Sequence, residues 1–345
     1  MEEKQLKRKK VFRAPVAAVL VTAVAAAVVV PVVLYCMGYI DYAEPARGEG
    51  YYLMAYFSGN TPEEERISFA VSDDGYNYTP LNGGRAMVEQ STGTGCARDP
   101  YILKGEDGYY YLLATDMQSG LGWTSNHAIV TWKSSDLLNW ERESNIDLHD
   151  CPGYENVNRA WAPQAIWDEE KGLYMVYYSS SVWEEDGESS KTCIWRAYTR
   201  DFTGFITDDP SLAPAPMFAP ASGADAIDAD IVKAGDTYYM YYKDQGRDDI
   251  CLATSERLDG GYEERGVVNV RYQGVEGSFI YNIAGADEWV MFMDSYKYGR
   301  FFMQQTDDML NFRRVNKNDY SVDFSPRHGS VTAISGEEYD RLASI

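Results

Sequence analysis

Residues 326–334 read Pro-Arg-His-Gly-Ser-Val-Thr-Ala-Ile, a short strand-like run close to the carboxy terminus. A lone strand leaves its backbone N–H and C=O groups without partners, so a distant part of the chain has to supply its neighbours. Five aromatic runs identify that part: "GYYLMAYFS" from Gly50, "DGYYYLLAT" from Asp107, "KGLYMVYYS" from Lys171, "GDTYYMYYK" from Gly235 and "ADEWVMFMD" from Ala286. Each is apolar on both faces, as in a strand covered on two sides. A further strand follows each of them: "ISFAVSDDG", "AIVTWKSSD", "CIWRAYTRD", "ICLATSERL" and "FFMQQTDDM". After a polar corner of the kind tight hairpins prefer, a short last strand follows in "YNYTPL", "LLNWERE", "TGFITD", "GYEERG" and "LNFRRV".

An opening strand precedes four of the five aromatic runs, in "RDPYILK", "WAPQAIW", "IDADIVK" and "VEGSFIY". The run at Gly50 has none, and "RHGSVTAI" supplies it. The carboxy-terminal strand therefore completes the amino-terminal unit and closes a ring, which removes exposed sheet edges. Four-stranded units in a ring predict an all-β fold, a five-bladed β-propeller. A β-sandwich with accidental internal similarity is the competing reading. The stretch Thr207–Ala226, rich in Pro, Ala and Ser, is expected to be a loop between two units.

The chain has 345 residues, 28 of them Tyr and 8 Trp, enough aromatic material for a large β core. Its net charge is −22, although residues 1–13 form a basic segment. So acidic a remainder excludes a nucleic-acid partner, which would need a basic face, and suits a neutral substrate such as a carbohydrate. Residues 14–40 are uncharged over more than the roughly 20 positions a membrane-spanning helix needs. Basic residues before this segment and acidic ones after it predict an anchor with the bulk of the chain outside the cytoplasm. A cleaved signal segment, giving a secreted protein, is the alternative. Residues 41–49 then form a linker and 50–345 the propeller. Cys96, Cys151, Cys193 and Cys251 show no zinc-type spacing, and the sequence leaves disulfides and buried thiols both open. His127 and His149 are expected in solvated loops.

Aligning the opening strands places Asp99, Ala162, Asp228, Glu276 and His328 in one column, preceded by Arg98, Trp161, Ile227, Val275 and Arg327. Opening strands line a propeller's axis, so these residues converge on one mouth of the channel. Carboxylates brought together raise one another's pKa and cost stability. Glycoside hydrolysis needs that arrangement, with one carboxyl kept protonated for the leaving oxygen and a second ionised to activate water. Asp230 lies on the same face as Asp228 but outside the column. Arg98 and Arg327 either bind sugar hydroxyls or offset the carboxylates, and Trp161 either stacks on a sugar or belongs to the core.

Over residues 50–334 these motifs resemble the family 43 glycoside hydrolases, five-bladed propellers that cleave arabinose- and xylose-containing polysaccharides with inversion. The resemblance implies that Asp99 in "ARDPYI" is the general base, Asp228 in "DAIDADI" the residue that tunes the acid, and Glu276 in "GVEGSF" the general acid. "WAPQ", Trp161 to Gln164, matches a family motif that often has Asp where Gln164 stands, so Gln164 is expected to bear on substrate contacts. The "HG" at His328 matches a histidine that supports a water-coordinated calcium beside the axis; no other cofactor is expected. The implied substrate is a terminal α-L-arabinofuranosyl unit, with xylosyl or galactofuranosyl units as alternatives. A non-catalytic carbohydrate-binding propeller, or a fructan hydrolase or phosphorylase on a related scaffold, are the rival readings.

Overall fold

The computed structural model of the chain describes residues 42–270 and 274–345. Their strands form five four-stranded antiparallel sheets. The inner strands are Gly329–Ile334 in blade 1, Ala97–Lys104 in blade 2, Val157–Asp168 in blade 3, Ala226–Ala234 in blade 4 and Glu276–Asn282 in blade 5. The aromatic runs are the second strands of their blades, at Tyr51–Tyr56, Tyr110–Asp116, Leu173–Val182, Thr237–Asp244 and Trp289–Ser295. Blade 1 closes as the sequence requires: Gly329 pairs with Tyr56 and Ile334 with Tyr51, in unbroken antiparallel register. Because the aromatic strands lie mid-sheet, their side chains are buried from both sides, as Tyr52, Tyr177, Tyr241 and Tyr242 illustrate.

A corner recurs between the third and outer strands. In blade 2 the Ser134 hydroxyl accepts from Leu137 N–H at 2.9 Å, and the Asp136 carboxylate accepts from the N–H groups of Leu138 and Asn139 at 2.9 and 2.8 Å. "SDDGYN" in blade 1 and "TDDMLN" in blade 5 repeat these contacts. The turn forces one residue to positive φ, Leu137 at 66°, Phe202 at 61° and Met309 at 64°, where only glycine is comfortable. Left-handed backbone costs about 1–2 kcal/mol per residue. Each of these side chains is buried, a gain of about 1.5–3 kcal/mol that outweighs the strain.

Two strand expectations need correction. The outer strand of blade 3 is Ala215–Phe218, inside the stretch expected to be a loop, and not "TGFITD". Phe218 explains it, since its ring is buried edge-on against Tyr242 of blade 4 at 4.8 Å; an outer strand also tolerates Pro216, because it has a free edge. The outer strand of blade 2 runs Glu141–Asp147, later than expected, because Leu137 to Asn139 are consumed by the corner. After the closing strand comes a helix, Gly336–Ala343, started by a capping box between Ser335 and Glu338 and pinned by buried Leu342.

The linker is docked: Ala43 N–H donates to Arg314 O at 2.8 Å and Glu49 N–H to Ala284 O at 3.1 Å. Cys96, Cys151, Cys193 and Cys251 are all unpaired thiols. Among the described residues no helix is long and apolar enough to cross a membrane. The segments 1–13 and 14–40 lie outside the described residues.

Candidate active site

Four of the five inner strands carry the same irregularity near their start. Arg98 faces Thr115 and Tyr101 faces Leu113, so two residues, Asp99 and Pro100, stand opposite one. The same shift follows Trp161, Ile227 and Glu276. Such a bulge re-aims a side chain. At its first residue φ is positive, 50° at Asp99, 48° at Ala162, 53° at Asp228 and 55° at Gly277. Asp tolerates this backbone better than most residues, and the two aspartates turn toward the mouth of the channel.

This geometry corrects the predicted column. Gly277, not Glu276, is the counterpart of Asp99, Ala162 and Asp228; Glu276 aligns with Arg98, Trp161 and Ile227. A Cβ on Gly277 would lie 2.7 Å from the Cβ and Cγ of His328, so only glycine fits both the φ and the space. His328 comes from the one inner strand whose register is regular.

Asp99, Asp228 and Glu276 line one pocket of about 460 Å³, together with Arg98, Trp123, Trp161 and Arg327. His328 is buried beside them, its Nδ1 3.4 Å from Asp99 Oδ1 and 4.0 Å from Asp228 Oδ2. Asp99 also accepts from the Thr115 hydroxyl at 2.9 Å, and Asp228 from Gly277 N–H at 3.1 Å. Arg327 holds Asp294 at 2.5 Å through Nε and reaches Glu276 Oε1 at 3.5 Å through Nη2.

These contacts drive the carboxyls apart. Burial pushes Asp99 up, but the hydrogen bond and charge of His328, with help from Arg98 and Thr115, hold it below the usual carboxylate range. Asp228 is raised, chiefly by burial and then by Asp99, with His328 opposing. Glu276 is pushed up to about 8 by burial and by the charges of Asp228 and Asp294, which Arg327 only partly offsets. His328 rises to about 9, because the surrounding carboxylates outweigh its burial. At neutral pH the pocket thus holds an ionised Asp99 and a protonated Glu276, an acid and a base at one site.

A family-43-related model, described as "Probable glycosyl hydrolase domain", matches residues 49–340. The chain belongs to the family-43-related glycoside hydrolases. An α-L-arabinofuranosidase of Bifidobacterium longum subsp. longum is 28% identical over 216 residues, 57% of this chain but 20% of the relative's length. Among solved structures, an endo-1,4-β-xylanase of Bacteroides thetaiotaomicron superposes with TM-score 0.55 at 15% identity, over 81% of this chain and 97% of that one. A xylan β-1,4-xylosidase of Bacillus halodurans gives 0.53 at 13% identity, over 85% and 53%. At such identities the two structures speak for the fold.

Within this family-43-related propeller the other expected residues divide. Trp161 lines the pocket edge-on to Trp123 at 6.3 Å, with the Arg159 guanidinium 4.5 Å over its ring. Arg98 faces the pocket, but its charge is spent on buried Glu65 at 2.9 Å, between the rings of Phe57 and Trp123. It therefore offsets Glu65 more closely than the pocket carboxylates. Gln164 is a correction: it is 2% exposed, does not line the pocket, and its Oε1 accepts from the Tyr177 hydroxyl at 2.8 Å. It follows its bulge, where its side chain is held against Tyr177 of the neighbouring strand. Asp230 sits at the equivalent position, buried and bound by Ile280 N–H at 2.6 Å, which leaves Asp228 as the aspartate facing the pocket.

His127 and His149 are not loose in solvent: their rings stack at 3.8 Å and 7°, and His127 Nδ1 lies 2.6 Å from Asp147. A single ion cannot lie in the planes of two face-to-face rings, so this His–Asp–His group is held as a stack. Trp123, Asp294 and Thr115 escaped sequence reading. Trp123 sits in a loop without periodicity, whereas Thr115 and Asp294 are the last letters of two aromatic runs quoted above.

Proposed function

We propose that this chain is an inverting glycosidase that releases terminal α-L-arabinofuranosyl units from plant polysaccharides or oligosaccharides. The carrying observation is the opposite displacement of Asp99 and Glu276 across one pocket. In this reading Asp99 takes a proton from water as its oxygen bonds to the anomeric carbon. Glu276 gives its proton to the glycosidic oxygen as the old C–O bond breaks, leaving a free sugar of inverted configuration and an alcohol. Asp228, whose charge opposes ionisation of Glu276, keeps it protonated. Arg327 and Trp161 are assigned to substrate, the first through hydroxyl oxygens and the second through a sugar face. The arabinofuranosyl choice is supported by the Bifidobacterium relative, and the charge asymmetry around residues 14–40 favours work outside the cytoplasm.

The calcium expected beside the axis would be held through Nε2 of His328 or waters on it, because Nδ1 faces the carboxylates of Asp99 and Asp228. No step here depends on the ion.

The test is nitrophenol release from aryl α-L-arabinofuranoside and aryl β-D-xyloside, with the anomer of the first-formed sugar read by NMR. Turnover of the arabinoside, abolished in Asp99→Ala, is expected, with Glu276→Ala abolishing release of arabinose from an arabino-oligosaccharide. Turnover of the xyloside alone would reassign the sugar, a retained anomer would overturn the mechanism, and sugar binding without turnover would leave a binding propeller.

A further inference from the structure

Each second strand of blades 2 to 5 places one residue opposite the residue that precedes the bulge: Thr115, Ser179, Lys243 and Asp294. Thr115 and Ser179 serve the aspartates directly, the first donating to Asp99 and the second accepting from Asp228 N–H at 3.0 Å. Asp294 differs, because it sets a carboxylate, 1% exposed, against the carboxyl of Glu276. A buried charge beside a like charge is costly unless something specific holds it. Its holder is Arg327, at 2.5 Å, and that same guanidinium lies 3.5 Å from Glu276. A cation at such a distance with no other partner would draw the proton off Glu276 and end its use as an acid.

We propose that Asp294 is a positioning residue that claims Arg327, so the guanidinium can stay at the pocket wall without ionising Glu276. The proposal rests on the reading of Glu276 as the general acid. Asp228, from blade 4, and Asp294 push Glu276 toward its neutral form, while Arg327 and His328, ahead of blade 1, pull it toward the anion; Tyr296 flanks it on the mouth side. Asp294 therefore acts twice, by its own charge and by holding a cation back.

The experiment follows Glu276 directly, by carboxyl carbon-13 NMR of glutamate-labelled protein with Glu276→Gln for assignment. In Asp294→Asn the Glu276 midpoint should fall by about one pH unit or more, a tenfold change in its ionised fraction at a given pH. Where turnover is measurable, the basic limb of kcat/KM should move down with it while the acidic limb stays. In Arg327→Met the midpoint should rise. In the Arg327→Met background, Asp294→Asn should move it by less than half as much, a comparison that remains readable if the single variant does not fold. A merely structural Asp294 would lower activity at every pH and leave the midpoint in place, and that result overturns the proposal. The titration needs no substrate, so a protein silent on every glycoside would sink the proposed reaction and leave this measurement standing.

Discussion

His328 Nδ1 lies 3.4 Å from Asp99 Oδ1, joining the closing strand of the ring to the opening strand of blade 2. The pair sets both charges, holding Asp99 low and lifting His328 to about 9. For His328 the folded value lies above the unfolded one, so its stabilisation is complete below about pH 6.5 and is lost as pH rises through about 9. Asp99 has the opposite sign, and its share is lost as pH falls below the usual aspartate value. Chemical denaturation of wild type and His328→Gln across pH 6 to 10 should show the two stabilities converging toward the alkaline end.

The rate profile should be a broad bell. Its basic limb should fall near pH 8, where Glu276 gives up its proton, and its acidic limb should lie below the ordinary aspartate range, where Asp99 gains one. Steady-state kcat/KM on one aryl glycoside from pH 3 to 10 checks both limbs.

Leaving groups separate the two carboxyls. Acid catalysis contributes about 10²–10⁴-fold, and a nitrophenolate leaves with little help. Glu276→Gln should therefore lose far more activity on an oligosaccharide than on the aryl glycoside. Asp99→Asn should lose comparably on both, since water activation is needed in either case.

Gly277→Ala should cripple the site without touching a reacting group. Its φ of 55° and the 2.7 Å approach to His328 leave no room for a methyl group. Displacing His328 should raise the Asp99 limb of the pH profile and lower the melting temperature.

At the corner of blade 3, Phe202 is buried at positive φ against Tyr111 and Tyr174, both at 4.6 Å. Phe202→Ala keeps the backbone strain and removes what offset it. A loss of about 3–5 kcal/mol in urea unfolding is expected.

Aromatic runs apolar on both faces and turn residues made the ring legible, since they repeat in every blade and burial on two faces leaves little choice of residue. Phe218 could not be read that way: its strand is short, rich in proline, and exists because one ring finds a neighbour in the next blade. The aspartates were legible from their place at the head of each inner strand, but the offset of Glu276 was not. Counting letters cannot see that two residues stand opposite one, and the glycine after Glu276 marks the bulge only once His328 is known to lie against it. Asp294 ends its aromatic run, but nothing in the run says that it faces Glu276.

The closing strand also fixes an order of events during synthesis. Asp99, Asp228 and Glu276 leave the ribosome before Arg327 and His328, and Tyr51–Tyr56 waits as an open edge until Gly329–Ile334 arrives. A nascent chain halted between Asp294 and Arg327 would carry every carboxyl of the pocket but neither Arg327 nor His328. Competence is thus conferred by the last strand of the propeller to be made.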